Sequence, residues 1–197
     1  MTIVIIGISV GLLIAFQIYT TMSTEQTAAQ AYKVIRTEKE FEVRYYPVVT
    51  MATISSSAKT YKELSSSGFR KLAGYIFGGN SSNQKIAMTA PVHMDINDSA
   101  SSMSFVMPAQ FHKDNLPVPN DEGVKIENST AEYVAAIRFG GFANNERIKK
   151  YEETLIALLK KYNLKHYGNF RFLGYNPPYQ LFGRKNEIIV TLHWDTK

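Results

Sequence analysis

The 197-residue chain contains no cysteine. This excludes a disulfide framework, a thiolate metal site, a cysteine nucleophile and a lipidated N-terminal cysteine. It leaves the compartment open, because a domain of this length needs no cross-links to hold a core. The four histidines, His93, His112, His166 and His193, are scattered. No two stand at metal-ligand spacing on a recognisable element. A Walker A loop and a dinucleotide-binding Gly-x-Gly-x-x-Gly run are both missing. So are a Gly-x-Ser-x-Gly elbow and a carboxylate pair placed for glycoside chemistry. Neither a basic recognition helix nor an RNA-binding strand motif is present. No catalytic residue is assigned, and an enzyme is unsupported.

Charge is missing from one end of the chain. Residues 1–24 carry no charged side chain, and Ile3 to Tyr19 is nearly all apolar. About 20 such residues match the hydrocarbon thickness of a bilayer, so residues 1–24 read as a transmembrane anchor. Ala29-Gln30-Ala31 has the small-x-small form of a signal cleavage site. It lies well beyond the apolar run, however, and no Lys or Arg precedes that run, which favours an uncleaved anchor. Gly7 and Gly11 have the spacing of a helix-packing motif. The expected topology is a single pass with the soluble domain on the extracytoplasmic side. Residues 25–31 read as a linker, and the folded domain as 32–197.

Elsewhere charge is mixed. Lys and Arg total 22 against 17 Asp and Glu, a formal net charge of +5. The cations are interleaved with acids, as on a solvated surface rather than a nucleic-acid-binding face.

Two segments carry helical periodicity. In the first, Tyr61, Leu64, Gly68, Leu72, Tyr75 and Ile76 share a face; Thr60 and Glu63 form a capping-box pair, and Gly78-Gly79-Asn80 stops the helix. In the second, Ile148, Tyr151, Leu155, Leu158, Leu159 and Tyr162 make the stripe. Asn144 or Asn145 caps it and Asn163 ends it. Strand-like runs surround both: 41–46, 48–56, 85–89, 92–96, 103–107, 124–127, 131–139, 169–173 and 188–194. The same order of elements occurs twice, which predicts a pseudo-two-fold α+β domain. Two helices cannot cover both faces of about eight strands, so the expected packing is a curved sheet or distorted β-barrel with helices outside.

Met103, Phe105 and Met107 share one strand face and read as core filler. His193, on an alternating strand beside Trp194, is the histidine best placed for a site, though a structural role suits it better. Tyr45 and Tyr46 precede Pro47, and Tyr175 and Tyr179 flank Asn176-Pro177-Pro178. Tyrosines there could edge a flat ligand or cover the open end of a sheet.

Several strings in this order resemble one family, the SOUL/haem-binding proteins. They are Phe41 to Pro47, Tyr75-Ile76-Phe77-Gly78-Gly79-Asn80, Lys85-Ile86-Ala87-Met88-Thr89-Ala90-Pro91-Val92 and Phe105-Val106-Met107-Pro108. They continue with Phe139-Gly140-Gly141-Phe142-Ala143, Gly174-Tyr175-Asn176-Pro177-Pro178 and Arg184-Lys185-Asn186-Glu187-Ile188. The resemblance covers about residues 32–195. It implies a distorted eight-stranded barrel with two helices. It also implies haem or another tetrapyrrole as cofactor, held in an exposed groove beside the first helix of the domain and the C-terminal proline loop. On that basis Phe69, Leu72, Tyr75 and Tyr179 are expected to contact the ring. Arg70 and Lys71 are expected near its propionates, and Tyr45 is the position to test for iron; the metal ligand itself is unknown. Tyr45 stands where one branch of the family has a histidine. Ser66, Gly74 and Gln180 stand where another branch has basic residues. Two functions follow. One is a membrane-anchored tetrapyrrole-binding or carrier protein. The other is a non-haem small-molecule-sensing or protein-interaction module on the same scaffold. A groove with cations at its rim favours the first, and a polar cleft between the two halves favours the second.

Overall fold

A computed structural model describes residues 2–97 and 99–194, without the side chains of residues 2–11 and 25. Its elements run α1 (Thr2–Glu25), β1 (Lys33–Thr37), β2 (Glu42–Tyr46), β3 (Thr50–Ser56), α2 (Tyr61–Ile76), β4 (Val92–Asp95) and β5 (Ser101–Val106). A short 3-10 turn, Lys113–Asn115, leads to β6 (Val124–Asn128), β7 (Glu132–Gly140), α3 (Asn145–Lys161), β8 (His166–Gly174) and β9 (Lys185–Leu192).

The nine strands form one antiparallel sheet in the order β1-β2-β7-β9-β8-β4-β5-β3-β6. The expected barrel does not close: β1 and β6 are the two edges of an open sheet. Read outward from the β4–β8 junction, one side runs β4-β5-β3-β6 and the other β8-β9-β7-β2. On each side the strand after a helix comes first, and the strand before that helix comes third. The fourth strand is exchanged: β2 joins the half that carries α3, and β6 the half that carries α2.

Period-two burial follows the pleat. One face presents Val43, Ile54, Met103, Phe105, Phe139, Phe172 and Ile188 to both helices and forms the main core. There α2 lays down Leu64 and Leu72, both fully buried, each contributing roughly 1.5–3 kcal/mol of apolar burial. Gly68 lets the helix approach. A Cβ there would lie 3.2 Å from both Ile54 Cδ1 and Met103 Cε.

The helix ends follow the sequence signals with one change. The Thr60 side chain accepts from the Glu63 amide at 3.3 Å, but the Glu63 carboxylate accepts from Lys59 N, one residue earlier than a capping box requires. Asn144 caps α3 by accepting from Arg147 N at 2.9 Å. The Asn145 side chain accepts from Tyr61 N at 2.9 Å, tying the two helix starts together.

The N-terminal expectations need revision. Among the described residues no helix is long and apolar enough to cross a membrane. The anchor expected over residues 3–19, and the Gly7–Gly11 pair, fall partly on side chains outside the described set. Nor are residues 25–31 a free spacer. Ala28 and Gln30 hydrogen-bond through their backbones to Ala90, and the Gln30 side chain is buried. The segment is therefore pinned beside the cis Ala90-Pro91 peptide.

Candidate functional site

Residues 70–79 cover the core with one side of α2 and leave the other open. Leu72, Tyr75 and Ile76 point inward. Arg70, Lys71 and Gly74 are exposed on the outer surface. The chain then turns back through Gly78, whose φ of 111° is left-handed, and Gly79 N donates to Gly74 O at 2.8 Å. That contact is close enough that a Cβ on Gly79 would lie 2.6 Å from the Gly74 oxygen. The loop before β6 comes alongside, because Asn120 N donates to Gly79 O at 3.1 Å.

The result is an open groove of about 410 Å³ lined by Arg70, Lys71, Gly74, Tyr75, Gly79, Asn120 and Asp121. Its floor is helix backbone at Gly74, where a Cβ would meet nothing within 4 Å. Its cations are lightly engaged: Lys71 Nζ lies 3.7 Å from Asp121 Oδ2, with both side chains about half exposed. Asp121 is fixed by accepting from Gly123 N at 2.8 Å.

Of the expected ring contacts, only Tyr75 lines this groove, by its edge. Its hydroxyl donates to Pro117 O at 3.0 Å, and burial raises its pKa. Leu72 has no exposed surface and presents nothing to a ligand. Phe69 is half-buried and packs edge-on against Phe105. Tyr179 is exposed elsewhere, against Phe16 of α1, with ring centroids 6.0 Å apart. Tyr45 lies on β2, in the other half of the sheet, against Tyr133. The structure thus brings Arg70, Lys71 and Tyr75 together and separates them from Tyr179 and Tyr45. His193 is exposed against the Tyr167 ring. Among the described residues no three His, Asp or Glu side chains gather as a metal site.

The sheet face away from the helices holds a second arrangement. A polar cleft of about 200 Å³ spans the seam between the halves, lined by Met51, His93, Asp95, Ser102, Ser104, Ser129, Thr130, Glu132 and Arg171. Arg171 bonds Glu132 at 2.7 Å. His93 Nε2 lies 2.7 Å from Gln30 Oε1. Since that oxygen can only accept, Nε2 carries the proton. Burial, helped by the Arg171 charge, pulls the His93 pKa down to about 3, so the ring is neutral.

Beside the cleft, Glu187 is fully buried and accepts from both Arg44 terminal nitrogens at 2.8 and 3.1 Å. Tyr175 donates to the same carboxylate at 2.6 Å, and Lys185 Nζ lies 3.1 Å from it. Burial alone would raise the carboxyl pKa, but the Arg44 bonds and charge prevail and lower it. Burial pushes the Tyr46 phenol up to about 12.

Asn120 and Asp121 carry no signal in the sequence because nothing local marks a loop that meets a helix from a distance, and Gly74 stands out there only as a position where another branch of the family has a basic residue. The Arg44–Glu187 pair left a signal: opposite charges within two largely apolar strands, at positions in phase with the buried Tyr46 and Ile189.

The comparisons with known proteins now bear on this geometry. The family model described as SOUL heme-binding protein matches residues 27–191. The chain belongs to that family. Heme-binding protein 1 of Xenopus laevis is 28% identical over 155 residues, covering 75% of this chain and 81% of the relative. Heme-binding protein 2 of Homo sapiens is 28% identical over 159 residues, covering 75% and 76%. Among solved structures, the EcmrR C-terminal domain superposes with a TM-score of 0.63 at 7% identity, covering 79% of this chain and 98% of that domain. A hydrolase from Listeria innocua gives 0.52 at 9% identity, covering 80% and 93%. At such identities these structures show a shared fold alone.

Proposed function

We propose that this SOUL-family protein binds and carries haem or another tetrapyrrole in the groove on the outer side of α2. Family membership supplies the ligand class. The observation that carries the placement is Gly74. A glycine inside a helix costs about 1 kcal/mol relative to alanine. Here a Cβ would touch nothing, so packing gives no reason for the glycine. A flat ring lying on the helix backbone does.

Arg70 and Lys71 flank that floor and would meet the carboxylates at the ring's edge, while the stems of the two cations would cover part of a face. Apolar burial at roughly 25 cal/mol per Å² supplies most of the affinity, and the cations supply orientation. The groove lining offers no His or Met, and its one phenol is already bonded. Its residues therefore suit a carried ring without an iron ligand from the groove. Bound haem would supply iron redox chemistry; this chain would hold it and cover one side.

Hemin titration of the full chain tests the reading. Wild type should give a saturable Soret change. Gly74→Leu should weaken it at least tenfold while thermal stability is kept or raised. Unchanged binding in Gly74→Leu would remove the groove.

The same reading includes attachment to a membrane through residues 3–19, supported by the absence of charge from residues 1–24. Retention of the full chain in the pellet after alkaline extraction of membranes tests it. The polar cleft across the seam favours the second reading, a small-molecule-sensing module. A polar metabolite stabilising wild type but not Arg171→Met would support it.

A further inference from the structure

The loop after β8 is braced from within and apolar at its tip. Arg184 holds it. One terminal nitrogen donates to Pro177 O and to Gln180 O, each at 2.7 Å, and the guanidinium covers the Phe142 ring at 4.4 Å. The Gln180 side chain is buried and donates to Phe182 O at 2.9 Å. With the polar groups turned inward, Tyr179, Leu181 and Phe182 project, exposed by 55%, 50% and 70%.

Helix α1 joins this tip through its few polar side chains. Gln17 Nε2 donates to Tyr179 O at 3.1 Å, and Gln17 Oε1 accepts from Leu181 N at 2.8 Å. Thr24 donates to Gln180 Oε1 at 2.8 Å. Gln17 thus reads both backbone polarities of the loop, which fixes its register against the helix. From Leu12 to Tyr19 the rest of the helix surface is apolar: Leu12, Leu13, Ile14, Phe16, Ile18 and Tyr19 are all exposed, by 47% to 70%. Together helix and loop tip form one continuous apolar surface much larger than scattered single residues would make, the kind that marks an interaction site.

The chemistry of its surroundings identifies the occupant. The surface carries aromatic rings at its border and no charge along the helix before Glu25. Behind the tip stand Arg184 and Arg147, the latter donating to Gly140 O. Among the described residues neither has a carboxylate partner. Apolar and aromatic side chains in front of guanidiniums that no carboxylate neutralises follow the order of groups in a bilayer interface: hydrocarbon, then headgroup, then phosphate. We infer that the loop tip Tyr179-Gln180-Leu181-Phe182 inserts into the interfacial layer of an anionic lipid surface beside α1, with the positive charges of Arg147 and Arg184 behind it attracting the lipid phosphates. The contact requires a lipid surface beside the helix and not a span. It rests on the membrane-attached reading and adds a second point of contact, which stops the domain from swivelling about α1.

The absence of cysteine allows one label at a time. Introduce Phe182→Cys, or Val118→Cys as a control, exposed by 69% on the loop that precedes the groove. Label each full-length chain with an environment-sensitive dye, and mix it with vesicles of phosphatidylcholine and phosphatidylglycerol. The label at 182 should shift to the blue and be quenched by brominated acyl chains, and the label at 118 should report water. Replacing Gln17 by Ala should reduce the shift at 182 while flotation with the vesicles persists. Flotation with a wet label at 182 would overturn the loop contact and leave attachment standing. Failure of every chain to float would overturn attachment and the loop contact together.

Discussion

Glu187 and Arg44 are the residues whose chemistry the fold constrains most. A buried carboxylate with four donors, from charged Arg44 and Lys185 and neutral Tyr175, is stable only while those donors stay in place. Glu187→Gln keeps the shape but leaves Arg44 with only the partly exposed Glu42 carboxylate, 2.7 Å from its Nε, and should cost about 3 kcal/mol in urea unfolding, the low end for a broken buried pair. Replacing both residues by methionine should cost much less, since the charges left behind, Glu42 and Lys185, are partly exposed to water. If the double variant loses as much as the single, the pair is not an isolated electrostatic unit. His93 sets a different dependence. Its folded pKa, about 3, lies below the ordinary value of 6.5. The unfolded chain therefore binds more protons between those values, and stability is full above pH 6.5 and declines as pH falls toward 3. Between pH 6.5 and 5.5 the loss should be about 1 kcal/mol, before most carboxylates titrate. His93→Gln should flatten that part of the profile.

Among the elements, α2 shows what the sequence discloses and what it withholds. Its ends, inward face and stop were legible because caps and a 3.6-residue period are local. Gly68 and Gly74 look alike in the sequence and do opposite things. Gly68 is a close approach, so Gly68→Val should overpack Met103 and cost roughly 1–3 kcal/mol in thermal or urea melts. Gly74 meets only solvent, and a side chain there should leave those melts unharmed. Other elements were misread for physical reasons. Residues 85–89 are apolar enough for a strand, yet Ile86 N bonds to Ile76 O, and the Thr89 hydroxyl donates to Val106 O. The run is thus a connector under the end of α2. β1 escaped notice because Lys33–Thr37 is an exposed edge whose alternation carries almost no burial signal. The groove was half legible: Arg70 and Lys71 were expected there from the family resemblance, but the Asn120–Asp121 wall arrives from a loop with no period at all.

At the scale of the whole molecule, the duplicated order of elements leaves a seam where β4 meets β8, and the chain closes it from outside with its own N-terminal strap. Ala28 and Gln30 hold Ala90, the Gln30 side chain holds His93, and Tyr32 lies over Arg44 at 4.3 Å. The strap therefore bridges the polar cleft and the buried charge pair. This explains how a sheet face with no helix on it keeps Val134, Leu173 and Ile189 fully buried. It also means that trimming the chain at residue 32, where the sequence alone would place the domain boundary, removes structural contacts. A chain beginning at residue 25 retains the strap, and one beginning at residue 32 loses all of it but Tyr32; both lack the body of α1. The shorter chain should lose about 2 kcal/mol, a melting shift of roughly 4–8 °C for a domain of this size. Its His93, freed of Gln30 and opened to water, should titrate closer to its ordinary value, which a histidine proton resonance followed against pH would read. Gln30→Ala in the longer chain should reproduce most of the His93 change and only part of the melting shift, because the backbone bonds to Ala90 survive. Equal melting of the two truncated chains would show that the strap lies on the sheet without supporting it.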